Sequence, residues 1–333
     1  ITDNDNAPTM AFAATTGTDA ENTAYTYFTV SLSHASTRGT LPAYTISIGG
    51  GSTMTGGGTD YNALNPTSYE FGSGSTTDQF YIYIQDDALD ENDETIILSI
   101  ATNNTTYATL GTNQTHTLTI TDNDAAPTIS FNASAANAVE SNSGTVAKTA
   151  QVDISAVSAK AVSANYTITG TSTAGGTDHN LAAGTVSISA GNTNNTIGWN
   201  VIGEALYEND ETIIITLSNP TNATLADPQA HTYTITNDDA APTIAFTGTA
   251  QSNNEATTSY NVGVTLSTAS GIDATMDYAV GGASTATGGG TDYTLANGTA
   301  TITAGNTTTN IALTVVNDAL YENDETIVIA ASN

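Results

Sequence analysis

Short runs of alternating apolar and polar residues recur along the chain, separated by clusters of Gly, Asn, Ser and Pro. In its middle part they are Thr128–Phe131, Thr145–Ser155, Ser163–Thr169, Thr185–Ala190, Thr196–Ile202, Thr212–Ser218 and His231–Thr236. A period of two sends successive side chains to opposite faces, so each run predicts a strand with one face buried and one in water. Abundant Thr with alternating Val and Ile favours strands over helices. Seven such strands in about 115 residues predict an all-β, immunoglobulin-like sandwich of two antiparallel sheets with Greek-key connections. Trp199 and Tyr166 are then expected in the core rather than on a ligand-stacking surface.

The pattern occurs three times. Thr2–Phe12 (TDNDNAPTMAF) matches Thr121–Phe131 (TDNDAAPTISF) and Thr236–Phe246 (TNDDAAPTIAF). Gly57–Tyr61 (GGTDY) matches Gly175–His179 and Gly289–Tyr293, and Leu89–Leu98 (LDENDETIIL) matches Leu206–Ile215 and Leu320–Ile329. Landmarks in constant order at a spacing of about 115–120 residues define tandem domains of ordinary size. The expected division is 1–5, the end of a preceding unit's last strand, then repeats at 6–124, 125–239 and 240–333. The third repeat is expected to lack its last strand, so the chain reads as a window of a longer array or as a subunit that joins copies head to tail and shares a strand. Almost no linker separates the repeats, only Asp122–Thr128 and Asn237–Thr243, and the array is expected to be an elongated rod.

Charge narrows the partners. The 333 residues carry 33 acids against 3 bases, a formal net charge of −30. Nucleic acid and anionic membrane surfaces both require Lys and Arg and are excluded, leaving small cations as the natural counter-partner. There is no cysteine, hence no disulfide and no thiolate metal site. No apolar run is long enough to cross a membrane as a helix, so no membrane insertion is expected. The opening ITDNDNAPT is no signal peptide, which does not weigh against secretion. Asn104, Asn165, Asn222 and Asn306 open Asn-x-Thr tripeptides that could carry glycans in a host with that machinery.

Most of the acids fall at four recurring places. A lone Glu stands early in each repeat (Glu21, Glu140, Glu255), and an Asp ends each Gly-Gly-Thr-Asp loop (Asp60, Asp178, Asp292). A run surrounds the third landmark, and a terminal triplet closes each full repeat. In a sandwich the loops gather at two ends, and these four can meet at one. A carboxylate cage without counter-charge costs several kcal/mol in repulsion. Ca²⁺, which takes 6–8 oxygens in adaptable geometry, fits such a cage. Zn²⁺ and Cu²⁺ want His or Cys, and the dispersed histidines supply no recurring pair. DNDNAP lacks the Gly and distal Glu of an EF-hand, and Thr55–Tyr61 lacks the nine-residue recurrence of a calcium-binding nonapeptide array.

With the early Glu, GTDY, the Gly…Ala-Gly-Asn turns (Gly184–Asn192, Gly298–Asn306), the Leu-x-Glu-Asn-Asp-Glu-Thr run and the closing TITDND placed, the repeats resemble Calx-beta domains. That family is named for the calcium-binding regulatory domains of sodium–calcium exchangers, and it forms long arrays in bacterial surface proteins. The resemblance covers two complete repeats and a third without its end. It implies calcium at one end of each sandwich, beside the next domain. The ligands it implies in the first repeat are Glu21, Asp60, Asp87, Glu91, Asp122 and Asp124, with Asp86 and Glu94 as extras. In the second they are Glu140, Asp178, Glu204, Glu208, Asp238 and Asp239, where Glu204 replaces an Asp and Asn237 takes the first triplet position. In the third they are Glu255, Asp292, Asp318 and Glu322, with no triplet. Asp3 and Asp5 are assigned to a preceding unit's site. Asp93, Asp210 and Asp324 are read as solvated or bonded to the adjacent loop.

The expected function is mechanical: an extracellular or cell-surface structural array, a stalk or filament subunit stiffened by calcium at its joints and joined to neighbouring copies. An adhesin or glycan-binding module is the alternative, with the tyrosines Tyr61, Tyr69, Tyr81 and Tyr83 of the first repeat as its candidate surface, although their expected place is packing the sheets. A calcium sensor would lack an output segment. A carboxylate-based hydrolase would not need its cluster three times, and no nucleophile elbow, phosphate loop or His-Glu-x-x-His is present, so no enzyme is expected.

Overall fold

The computed structural model of the chain describes residues 5–36, 42–56, 59–64, 66–170, 174–175 and 177–332. Asp3 lies outside them. The fold is all-β. The first unit contains β1 (Thr9–Phe12), β2 (Thr16–Ala20), β3 (Tyr25–Leu32), β4 (Ala43–Ile48), β5 (Ser68–Glu70), β6 (Thr77–Tyr83), β7 (Glu94–Thr102), β8 (Thr109–Leu110) and β9 (Thr115–Thr121). They form two sheets, β6-β3-β1-β8 and β2-β9-β7-β4-β5, so the chain passes back and forth between layers. The inner faces carry alternate residues of each strand. In β3 these are Thr26, Phe28, Val30 and Leu32, and in β7 they are Ile96, Leu98 and Ile100.

The second unit repeats the plan with β10 (Thr128–Phe131), β11 (Ala135–Val139), β12 (Gly144–Ile154), β13 (Val162–Ile168), β14 (Gly184–Ile188), β15 (Asn194–Gly203), β16 (Glu211–Thr221), β17 (Thr224–Leu225) and β18 (Ala230–Thr236). Its sheets are β15-β12-β10-β17 and β11-β18-β16-β13-β14. All seven strands expected from the alternation are there, with ends shifted by a residue or a few. The structure adds two, β11 and β17. Both are edge strands, and both pair parallel, β11 with β18 and β17 with β10. Their sequences, AANAV and TL, bury almost nothing and so carry no period of two. Trp199 is core, packed edge-on against Tyr233, and Tyr166 packs partly buried against the same cluster.

In the third unit the strands are β19 (Ile244–Phe246), β20 (Ser259–Leu266), β21 (Ala274–Val280), β22 (Tyr293–Thr294), β23 (Gly298–Ile302), β24 (Thr308–Val315) and β25 (Ile329–Ser332). One sheet, β19-β20-β24-β22, is formed, but the other is reduced to β23-β21-β25. No strand lies beside β25 as β9 lies beside β7, and no counterpart of β2 is formed among the described residues. Among the described residues its core has six buried members where each of the other two has nineteen, so this sandwich is incompletely closed.

Consecutive units touch through one repeated contact. The loop after β12 forms a parallel bridge, Ser158 with Asp90 of the first unit, and the loop after β20 does the same with Ser270 and Tyr207 of the second.

Candidate metal centres

Strand pairing brings the acids together. Parallel pairing of β2 with β9 sets Ala20 opposite Thr121, and the next amide, Glu21 N, donates to Thr121 O at 3.0 Å. Glu21 therefore stands beside Asp122. Antiparallel pairing of β7 with β9 sets Glu94 opposite Ile120, which carries the end of the acidic run to the same corner. The Asp60 loop arrives by a third route, its carbonyl accepting from Gln85 N at 2.9 Å. The second unit uses the same three devices: Glu140 N donates to Thr236 O (3.0 Å), Glu211 lies opposite Ile235, and Ile202 N donates to Asp178 O (2.8 Å).

Two three-carboxylate groups result in each of these units. In the first they are Glu21, Asp122 and Asp124, and Asp60, Glu91 and Glu94; in the second, Glu140, Asp238 and Asp239, and Asp178, Glu208 and Glu211. Within each group one oxygen per residue lies within 4.8 Å of the others. Oxygens on one Ca²⁺ at about 2.4 Å cannot lie further apart than about that distance, so each group suits a single ion. Asp124 Oδ2, Glu204 Oε1 and Asp239 Oδ2 are buried without a hydrogen-bond partner. Buried oxygens are nearly always satisfied, so these three fit a hard cation as the missing partner. The donor set, all oxygen and mostly carboxylate, fits Ca²⁺ in the same way. Glu21, Asp60, Glu91, Glu94 and Asp122 line one cleft, floored by Met54, Ile84 and Ile120.

Burial without counter-charge raises the acidities. Glu21 is pushed up from 4.5 to about 7, chiefly by desolvation, with the charges of Asp87, Asp124 and Glu91 adding and a bond from the Asp87 amide opposing. Desolvation and Asp60 do the same to Glu94, and desolvation and Glu204 to Glu140. Glu211, desolvated and bonded to Asp178, also reaches about 7. Glu91, Glu204 and Glu208 are raised by burial and by neighbouring carboxylates.

Other candidates have local duties as well. Asp87 Oδ1 accepts from Leu89 N at 2.7 Å, and Asp87 N donates to Glu21 Oε1 at 3.2 Å. Asp93 and Asp210 brace the terminal segments, accepting from Asp122 N (3.2 Å) and Asn237 N (3.1 Å). Asn237 keeps one function of its counterpart Asp122: each side chain accepts the amide of the facing Glu, Glu208 or Glu91, at 3.2 Å.

The structure adds Glu211 and Glu325 to the candidates and moves Glu94 from an extra to a full member. Each is the Glu of Asn-Asp-Glu-Thr, each bonds the loop Asp, and the recurrence of that Glu in all three repeats was the available signal. In the third unit Asp292, Glu255 and Asp318 are close enough to Glu322 to raise it, after desolvation, and Asp318 N donates to Glu255 Oε1 at 2.8 Å. Glu255, Asp318 and Glu322 are exposed and Asp292 is partly buried, and no three-carboxylate group forms there or around Asp5 among the described residues.

The chain matches the family model described as the Calx-beta domain three times, over residues 3–124, 122–239 and 237–333. No curated protein matches it. Among solved structures it is similar to the crystal structure of CBD12 from CALX1.2, at 16% identity over 68% of this chain and 99% of that one, with a TM-score of 0.32. It is also similar to the calcium-binding domain CBD12 of CALX1.1, at 23% identity over 56% and 74%, TM-score 0.31. The apo form of the Calx CBD1 domain matches at 23% identity over 34% of this chain and all of that one, TM-score 0.32.

Proposed function

Because this chain belongs to the Calx-beta domain family and is a tandem array of β-sandwich repeats, we propose that it is a calcium-stiffened structural element. The observation that carries the proposal is the place of the carboxylate groups. In both complete units they sit where the last strand runs out and the next unit begins, with buried oxygens that lack a partner. Calcium there ties the early Glu, the Asp loop, the acidic run and the terminal segment of one unit into a single body. The next unit docks on the acidic run itself, through Ser158 or Ser270. Filling the site therefore stiffens the joint, and emptying it restores repulsion among carboxylates and weakens the joint. An array of such joints serves as an extracellular stalk or as a filament subunit whose neighbours are further copies. No catalytic group is required.

The test is small-angle scattering and thermal unfolding in calcium and in chelator. Calcium is expected to raise the unfolding temperature and to lengthen and narrow the distribution of dimensions. No change in either would overturn the proposal.

A second reading, a binding module, has one observation in its favour. Tyr25, Tyr27 and Tyr81 are exposed on the outer face of β3 and β6 of the first unit and pack against one another. Of the four tyrosines singled out from sequence, Tyr61 is buried and Tyr69 packs against the core, as expected of residues that pack the sheets, while Tyr81 faces outward. A glycan array probed with the protein and with a Tyr25→Ala, Tyr27→Ala, Tyr81→Ala variant tests it: binding lost in the variant would support this reading, and no binding by either would remove it.

A further inference from the structure

The two junctions share a backbone contact but differ in charge. At both, a serine of the incoming loop donates its hydroxyl to a carbonyl of the acidic run, Ser158 to Asp90 O at 3.1 Å and Ser270 to Tyr207 O at 3.2 Å. At both, the same hydroxyl accepts the amide two residues on, from Lys160 or Ile272. These correspondences align the junctions residue by residue. The first then has Asp90, Asp122 and Lys160 where the second has Tyr207, Asn237 and Ile272.

The charged set is joined. Lys160 Nζ lies 2.7 Å from Asp90 Oδ1 and 3.3 Å from Asp122 Oδ2, and Ser158 Oγ donates to Asp90 Oδ2 at 2.7 Å. Asp90 is buried, 4% exposed, so water and salt screen this pair little. Removing one partner of such a pair leaves a buried charge uncompensated. Lys160 belongs to the second unit, while Asp90 and Asp122 belong to the first. The ammonium thus stands beside the Glu21, Asp122 and Asp124 group and supplies positive charge to it from across the joint. The uncharged set has no such device. There the Glu208 carboxylate lies against Gly271, so close that any side chain on Gly271 would collide with it. That carboxylate reaches the interface with no basic partner on the facing loop.

We propose that Lys160 is a tethered counter-ion that keeps the first junction rigidly docked when no divalent cation is bound, whereas the second junction, held by the serine and backbone contacts alone, becomes rigid only when a cation binds. The two joints of one chain then respond differently to calcium, the first as a permanent joint and the second as a switched one. The calcium half of this statement rests on the function proposed above; the lysine half does not.

The chain has no cysteine, so pairs of introduced cysteines can be spin-labelled without background. Labels at the exposed positions Thr77 and Ser187 span the first junction, and labels at Ser187 and Thr301 span the second. Distance distributions are measured by pulsed dipolar spectroscopy in chelator and in calcium. In chelator the first pair is expected to be narrow and the second broad. Lys160→Met should broaden the first to the width of the second, Lys160→Arg should keep it narrow, and Tyr207→Asp with Ile272→Lys should narrow the second. Circular dichroism melts confirm that each variant is folded. Equal widths for the two junctions in chelator, or no broadening in Lys160→Met, would overturn the proposal. If calcium narrows neither junction while the lysine variants behave as stated, the calcium-rod reading fails and the tethered counter-ion stands.

Discussion

The first and third units carry nearly the same acidic run, LDENDETIIL and LYENDETIVI, with different outcomes. In the first, the run leads directly into β7 at Glu94, and Ile96 and Leu98 are fully buried. In the third, no strand begins until Ile329, Leu320 and Tyr321 are exposed, and Val328 is only partly covered. The early Glu follows suit: Glu21 continues β2 and is buried, while Glu255 lies outside any strand and is exposed. What differs is β9. It pairs with β7 on one side and β2 on the other, and its His116 fills the core against Phe12 and Phe28. The lesson is that the acidic run does not make a cation site by itself. One strand, distant in sequence, aligns the start of β7 with the end of β2.

The largest expected effect comes from attacking that strand. Leu118→Ala empties a fully buried position on β9 and should cost the first unit about 2–5 kcal/mol. The same truncation at the half-exposed Val328 should stay within about 0.5 kcal/mol. Hydrogen exchange followed by mass spectrometry resolves the units. Loss of protection confined to 6–124, together with loss of that unit's calcium response, is expected; equal costs at the two sites would break the comparison.

Next in size is calcium itself. One ion at a free concentration of 100 times its Kd stabilises a fold by about 2.7 kcal/mol. Protection should rise in the first two units and little in the third, and Glu94→Gln or Glu211→Gln should weaken the response of its own unit alone. A third unit that gains as much as the others would show that its exposed acids suffice.

Smaller again is the pH dependence in chelator. Glu21, Glu94, Glu140 and Glu211 titrate at about 7 in the fold against an ordinary 4.5. A carboxyl raised in this way holds its proton more firmly in the folded chain than in the unfolded one. The fold is therefore favoured near pH 4.5 and loses that contribution as pH rises through about 7. Melts of the metal-free protein should show stability falling across this window. Calcium should flatten the slope and release protons near pH 6–7, measurable by titration in buffers of different ionisation enthalpy. Stability that rises over the window would contradict the desolvated cage.

The smallest expected effect tests the bracing. Asp93→Ala removes one acceptor for the Asp122 amide and should cost about 0.5–1.5 kcal/mol. The matching change at the exposed Asp324 should cost nothing measurable, because no such bracing bond is formed there among the described residues. Chemical denaturation of the two variants decides it.

Much of this was legible from residue order. The tandem repeat and the alternation behind β12 or β16 follow from period and position, and the resemblance to the family implied that Glu21, Asp60, Glu91, Asp122 and Asp124 gather at one end of the first unit, as they do. β2 and β11 were not legible, because a parallel edge strand reading TGTDA or AANAV buries too little to show a period. Glu211 stands in the recurring acidic run but not among the ligands that the resemblance implied, although its counterpart Glu94 was an extra. Lys160 escaped because its partners are in the preceding unit, 70 and 38 residues away.

The sequence by itself determined the class of fold, the number of units and the oxygen-rich chemistry of their ends. Those properties are carried by local period and residue type, which need no partner to be read. The tertiary structure alone decided how the acids of the first two units divide into two carboxylate groups each, and that one joint carries an ion pair between units where the other has none. These depend on which distant strands pair, and pairing places backbones about 5 Å apart whatever their separation along the chain.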